Sequence, residues 1–220
     1  MSADTLHLRD LTVQAGDHTL LHEAAISVPA GRLVGLVGPS GAGKSLMLRA
    51  MVGAVRARPG VVAGSVEAAG RPVTALAGAT GPPLVGVVAW MPQGGGLDPT
   101  WRVGRQLRRL GADPSRALAA VGLERPAAVA RQWPHQLSGG MQRRAGLAVA
   151  LATGARFLLV DEPTTGLDPV AARGVLRLLQ DQAQGGCGVL VVSHDAPLLG
   201  AFADAVWALE AGRVRPGGGA

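Results

Sequence analysis

Gly38-Pro39-Ser40-Gly41-Ala42-Gly43-Lys44-Ser45 satisfies the pattern G-x-x-x-x-G-K-[ST] in full, and these residue types at this spacing bind phosphate. Glycines permit positive φ and let the backbone come close to a ligand. Successive N–H groups then converge on one concavity that suits phosphate oxygens. A helix opening at Ser45-Leu46 adds unpaired N–H groups and a favourable dipole. Lys44 would set a compact positive charge on the β- and γ-phosphates, and the Ser45 hydroxyl would ligate magnesium. Of the 21 basic residues, 20 are arginine and Lys44 is the only lysine. A chain that uses arginine everywhere else keeps lysine at this one place.

Other groups of useful chemistry follow apolar runs. Asp161-Glu162 closes the run Phe157-Leu158-Leu159-Val160. Asp161 is placed to hold magnesium, directly or through water. Glu162 is placed to orient or deprotonate an attacking water. His194 follows Val189-Leu190-Val191-Val192 and could hydrogen-bond a γ-phosphate. Gln93 follows Val85–Met91 and carries a neutral amide able to reach both magnesium and the lytic water. Taken singly, each has a plainer reading: a solvated strand end, a structural histidine, a turn glutamine. Ser138-Gly139-Gly140 opens a helix and makes a second anion-binding arrangement. One nucleotide uses one phosphate loop, so the second arrangement points to another subunit and a head-to-tail dimer with two ATP molecules between its halves.

The elements that must carry these groups are legible. Leu33–Val37 reads as a buried strand and Leu46–Val52 as a helix, the setting the glycine loop needs. Leu6–Val13, Leu20-Leu21, Ile26–Val28 and Val61–Val73 read as strands of an antiparallel sheet, with a turn at Gly16-Asp17. Val85–Met91 stops at Pro92, and Gly94-Gly95-Gly96 reads as a flexible hinge. Helices are expected over Val103–Leu110 and Asp113–Val121, the second with Asp113 as N-cap, Pro114 at N1 and Gly122 beyond its end. A helix over Met141–Leu151 should bury Leu147, Val149 and Leu151. Asp168-Pro169 caps another that runs to about Gln184. A last hairpin, Val206–Val214, turns at Glu210-Ala211-Gly212. Strands that alternate with helices imply a mostly parallel, doubly wound α/β sheet, whose ligands sit at the carboxyl ends of strands. The phosphate loop, Gln93, Asp161-Glu162 and His194 all fall there. One domain is expected over 1–220: a core of about 1–93 and 138–215, a small helical insert over 94–137, and a flexible tail over 216–220.

Composition narrows the class. With 48% hydrophobic residues, no tyrosine and 3% aromatics, the core is built from Ala, Val and Leu. No segment approaches the roughly 18–20 apolar residues of a membrane span. The first ten residues carry charges and lack an apolar signal-peptide core. The single Cys187 excludes an internal disulfide, suits a reducing cytosol, and reads as a small buried residue beside a strand. The net charge of +6 comes from dispersed arginines, which makes nucleic acid an unlikely partner and a solvated surface or a membrane component the better reading.

Together these residues resemble the nucleotide-binding subunit of ABC transporters, which carries a P-loop NTPase (RecA-like) core. Gly38–Ser45 resembles Walker A, Gln93 the Q-loop, and Leu137-Ser138-Gly139-Gly140-Met141-Gln142 the ABC signature. Phe157–Glu162 resembles Walker B, Gly166-Leu167-Asp168 the D-loop and Ser193-His194-Asp195 the H-loop. The resemblance implies ATP and Mg2+ as ligands, with Asp168 among the nucleotide-site residues. It implies an ATPase at the cytoplasmic face of a membrane, paired with a second copy or a related subunit, with permease subunits and with an extracytoplasmic solute-binding protein. Leu97-Asp98-Pro99-Thr100-Trp101, Pro134–Met141 and Asp161–Thr165 are further similar to the oligopeptide, dipeptide and nickel importer group. The alternatives are a soluble ABC ATPase acting on DNA or ribosomes, which usually has two such domains or a coiled-coil insert, and a regulatory module without catalysis. One departure has a consequence. The family stacks adenine on an aromatic about two dozen residues before Walker A, and the stretch near Ala15 has none. Loose discrimination between ATP and GTP is therefore expected.

Overall fold

The computed structural model describes residues 4–55, 59–74 and 86–217. Expectations at Met1–Ala3, at Val85 and at 218–220 lie outside the described residues. In chain order the elements are β1 (Thr5–Ala15), β2 (His18–Pro29), β3 (Leu33–Val37), α1 (Lys44–Met51), β4 (Pro59–Ala68), β5 (Arg71–Thr74) and β6 (Val88–Met91). There follow α2 (Val103–Arg109), α3 (Pro114–Ala120), α4 (Pro126–Val129), a 3-10 turn (Pro134–Gln136) and α5 (Gly139–Ala152). The chain closes with β7 (Phe157–Asp161), α6 (Pro169–Gln184), β8 (Gly188–Val192), α7 (Ala196–Gly200), β9 (Ala205–Glu210) and β10 (Arg213–Pro216).

Two sheets result. The first is antiparallel, in the order β2-β1-β4-β5. In β1 the apolar spacing slips between Leu8 and Leu11. The backbone absorbs the slip at Asp10, whose φ is 50°, and the register shifts there, so that Leu6, Leu8, Leu11 and Val13 are all buried. The second sheet runs β10-β9-β3-β8-β7-β6, parallel throughout except for the hairpin strand β10. It is covered on both faces, which is why its strands read as unbroken apolar runs. Val34, Leu36, Leu159, Leu190 and Val192 pack toward α1 and the antiparallel sheet. Leu158, Val160, Val189 and Val191 pack toward α5 and α6. Each such side chain contributes about 1.5–3 kcal/mol by leaving water.

The structure corrects several sequence expectations. Leu20-Leu21 and Ile26–Val28 belong to one strand, β2. Val61–Val73 divides into β4 and β5 at the turn Ala69-Gly70, both at positive φ. The strand before Gln93 covers only Val88–Met91, and Pro216 ends β10 instead of opening a tail. The short helices α4 and α7 were too brief to show a period. In α5, Leu147 is buried as expected, but Val149 and Leu151 are half-buried. Ala145, Gly146, Ala148 and Ala150 supply the rest of the buried face. Small residues there allow a close approach, and at Gly95 a packed contact replaces the hinge expected over Gly94-Gly95-Gly96. Gly95 is buried against α5, where a side chain on it would meet the Gln142 carbonyl at 2.6 Å. A side chain on Gly146 would overlap the Gly95 carbonyl. These glycines serve backbone-to-backbone packing.

Candidate nucleotide and catalytic site

Neighbouring strands β3, β8, β7 and β6 deliver the phosphate loop, His194, Asp161-Glu162 and Gln93 from their carboxyl ends. The ends are level. Ser193 donates its N–H to Leu36 O at 3.1 Å, and Glu162 donates its N–H to Val192 O at 3.0 Å. A cleft of about 430 Å³ opens there, lined by Ser40, Gly41, Gly43, Lys44, Ser45, Leu46, Gln93 and Glu162, with Leu20 from β2 at its edge. Within the loop, Gly43 takes φ 101° as the N-cap of α1, and a side chain there would press on Leu21 at 2.9 Å. Gly38, Pro39 and Ala42 complete the turn, Ala42 donating its N–H to Pro39 O at 3.2 Å. Lys44 is 92% buried, at 8% exposure, and its Nζ donates to the carbonyls of Gly38 at 2.7 Å and Pro39 at 3.0 Å. The ammonium thus knits the loop it serves.

Asp161 is 2% exposed. Its Oδ1 has no hydrogen-bond partner among the described residues. Burial pushes its carboxyl above the ordinary carboxylate range; hydrogen bonding from Ser45 opposes this, the charge of Glu162 adds to it, and Lys44 and Arg49 oppose it. A buried carboxylate oxygen without a partner, next to a hydroxyl and facing a phosphate loop, fits a divalent cation. Among the described residues no cluster of three or more His, Cys, Asp or Glu side chains could hold a metal unaided. Ser45, Asp161 and Gln93 therefore fit a cation that takes its remaining ligands from phosphate and water, as magnesium does. A stability consequence follows. The raised pKa means the ionised form is penalised in the folded state, so the protein loses stability as pH rises from the unfolded-state value near 3.8 through the higher folded value. Asp161→Asn is expected to stabilise the magnesium-free protein at pH 7.5, seen as a higher melting temperature than the native protein. The gain should shrink as pH falls toward 4. Thermal melting of both proteins across that pH range checks it.

Glu162 stands at φ 53°, a left-handed conformation that costs a non-glycine residue roughly 1–2 kcal/mol. Its own hydrogen bonds offset that cost. His194 Nδ1 lies 2.8 Å from Glu162 Oε2, and Thr165 Oγ1 donates to the same oxygen at 3.0 Å. An ionised carboxylate only accepts, which puts a proton on Nδ1. Among the described residues nothing donates to Oε1, which is left to accept from a water. His194 itself does not line the Lys44 cleft. It holds Glu162 from behind, its side chain 60% exposed.

Ser138, Gly139 and Gly140 lie outside this cleft. Ser138 caps α5, accepting the Met141 N–H at 3.3 Å, and is exposed together with Gly139. Asp168 is also outside it, and caps α6 by accepting the N–H groups of Val170 and Ala171, both at 3.0 Å. Three residues escaped sequence reasoning. Leu20 is an apolar side chain 40% exposed beside the phosphate loop, in a strand whose pattern did not single it out. Arg143 reaches from α5 to the Thr165 carbonyl and so steadies the loop that holds Glu162. Gln106, 8% exposed, bonds Asp98 N, Asp98 O and Trp101 O, each at 3.0 Å, and ties α2 to the stretch that follows Gln93. Nothing local marks a glutamine for that task.

No helix among the described residues is long and apolar enough to cross a membrane. Comparison with known proteins agrees with the geometry. A family model described as ABC transporter matches residues 21–165. A hemin import ATP-binding protein of Streptomyces coelicolor is 37% identical over 94% of this chain and 75% of its own length. A nickel import ATP-binding protein of Rhodospirillum rubrum is 36% identical over 97% and 87%. A methionine import ATP-binding protein of Nocardia farcinica is 34% identical over 90% and 61%. In fold, the chain matches a dimeric ATP-binding cassette in a post-hydrolysis state bound to ADP and Pi, with a TM-score of 0.81, 24% identity and 96% of each chain covered. Relatives named for hemin, nickel and methionine stand at nearly equal identity, so the similarity selects the family and not one cargo. The P-loop NTPase fold, the phosphate-loop sequence and the buried carboxylate pair, together with the family model and these relatives, mean that the chain belongs to the ABC transporter family.

Proposed function

We propose that this chain binds and hydrolyses ATP to power import of a solute through partner permease subunits, docked at the cytoplasmic face of the membrane. The observation that carries the reading is the division of the site. Lys44, Ser45, Gln93 and Glu162 line one cleft, with Asp161 buried next to Glu162, while Ser138 and Gly139 are exposed and Gly140 half-buried outside it. The same groups would complete the cleft of a second copy or a related subunit, set head to tail, so that ATP is enclosed only in the pair. Ser45, Asp161 and Gln93 would hold Mg2+, which supplies neutralisation of the β- and γ-phosphate charge. Glu162 Oε1 would accept the proton of the attacking water, with His194 and Thr165 fixing the carboxylate. Gln93 begins the stretch that Gln106 and Gly95 tie to α2 and α5, so movement at the nucleotide reaches the helical insert and the permeases against it. A solute-binding protein outside the membrane completes the system. Peptide, nickel or a similar small solute is the proposed cargo, on the similarity of Leu97–Trp101 and Pro134–Met141 to that importer group. The test is hydrolysis as a function of protein concentration. Turnover per molecule should rise steeply with concentration, and a constant value at all concentrations would refute a site shared between copies.

Leu20 is the proposed contact for the nucleotide base. An aliphatic side chain covers a base face without reading its hydrogen-bonding edge, so ATP and GTP should turn over at similar rates. Leu20→Ala should weaken both nucleotides by about threefold. Leu20→Trp should tighten both by about 2–10-fold through stacking. Competition binding of the two nucleotides checks it, and a strong ATP preference in the native protein would sink it.

A further inference from the structure

A second cleft, about 730 Å³ in volume, lies between α6 and α7 and is lined by His194. Glu162 lines the Lys44 cleft, and its 2.8 Å contact with His194 is the partition between the two. Arg173 and Arg177 stand one turn apart on α6 and line the second cleft, with Thr164 and Thr165 near the partition. Neither arginine forms an ion pair among the described residues. Like charges four residues apart weaken a helix, so the pair does not serve α6 itself. The carboxylate in the cleft, Asp195, is engaged as the cap of α7, its Oδ1 accepting the Leu198 N–H at 2.9 Å.

We propose that this cleft binds inorganic phosphate and receives the product phosphate of the neighbouring site, an inference that rests on the ATPase reading above. Two guanidinium forks match the oxygens of a phosphate dianion, and the Thr164 hydroxyl near the partition adds a donor, the Thr165 hydroxyl being engaged by Glu162. After cleavage, ADP still occupies the Lys44 loop and the second copy's helix start closes the opposite side, so the departing phosphate faces the Glu162–His194 partition. His194 is held there by one hydrogen bond and is largely exposed, so a rotation about its side chain opens the way. No bond is made or broken in this passage; the phosphate exchanges the contacts of the Lys44 cleft for contacts with Arg173 and Arg177.

The test uses the full chain saturated with Mg-ADP, titrated with inorganic phosphate in a calorimeter. Arg173→Gln/Arg177→Gln should bind phosphate at least tenfold more weakly with ADP affinity unchanged. Arg173→Lys/Arg177→Lys, which keeps charge and loses the fork, should fall between. In single turnover, phosphate release read by a fluorescent phosphate sensor should slow in the glutamine variant while cleavage keeps its rate. Equal phosphate affinity in all three proteins, or loss of phosphate binding in Lys44→Ala alone, overturns the proposal. Failure to hydrolyse ATP with phosphate binding at the arginines intact would remove the ATPase reading and leave the site standing.

Discussion

Glu162→Gln is expected to lower ATP turnover by about 10²–10⁴-fold while nucleotide affinity stays within about twofold. Glutamine has the size of glutamate and can still accept from His194 and Thr165, so the strained backbone at φ 53° keeps its support. It cannot take a proton from water at neutral pH. Binding therefore survives and cleavage does not. On the proposed arrangement two copies enclose ATP, so the variant should accumulate as an ATP-dependent dimer, seen by size-exclusion chromatography with and without nucleotide. Steady-state turnover and equilibrium binding measured on one preparation decide the matter. A variant that hydrolyses ATP at the native rate would remove Glu162 as the base and leave His194 or water alone in that role.

The second large effect belongs to Lys44. Its replacement by alanine is expected to weaken Mg-nucleotide binding by about 10²-fold or more, since a charge-assisted hydrogen bond in a buried site is worth about 1.5–3 kcal/mol and more than one is lost. Two losses combine. The charge on the phosphates disappears, and so do the bonds by which Nζ holds the Gly38 and Pro39 carbonyls. Lys44→Arg tests the point more sharply. The chain accepts arginine at 20 other places, yet a guanidinium is too broad for a side chain 92% buried inside a tight loop, and binding should fall nearly as far. Titration with a fluorescent nucleotide analogue checks both variants. Native affinity in the arginine variant would mean that only charge is needed there.

Much of the fold was legible because the signals are local. β3, β7 and β8 are short apolar runs since both faces of the parallel sheet are covered, and a run of that kind needs no knowledge of what covers it. Asp113-Pro114 and Asp168-Pro169 announce helix starts because a cap is a contract between residues two or three apart. Where reading failed, the deciding contact was distant. Gly94-Gly95-Gly96 looks like a hinge from its composition alone, and its middle residue, Gly95, becomes a packed contact only when α5 is laid against it at Gln142 and Gly146. Val149 and Leu151 look like core by hydrophobicity, yet the buried face of α5 is set by its neighbours, which take Leu147 together with the small residues Ala145, Gly146, Ala148 and Ala150.

The candidate site divides in the same way. The sequence by itself determined which groups are candidates for the chemistry and at which ends of which strands they sit, because a phosphate loop, a carboxylate pair after a strand and a helix start are each written within a few consecutive residues. Tertiary structure alone decided how those groups share the work. It left Asp161 Oδ1 buried without a partner among the described residues, turned His194 onto Glu162 across 32 residues of chain, and kept Ser138-Gly139-Gly140 out of the cleft that holds Lys44. It also brought Leu20 to the edge of the phosphate loop and Arg173 and Arg177 into the cleft that His194 lines. The reason is physical. Bond-by-bond geometry reaches only a turn or so along the chain, whereas burial, orphaned donors and acceptors, and clefts arise from surfaces that meet only after the sheet has assembled.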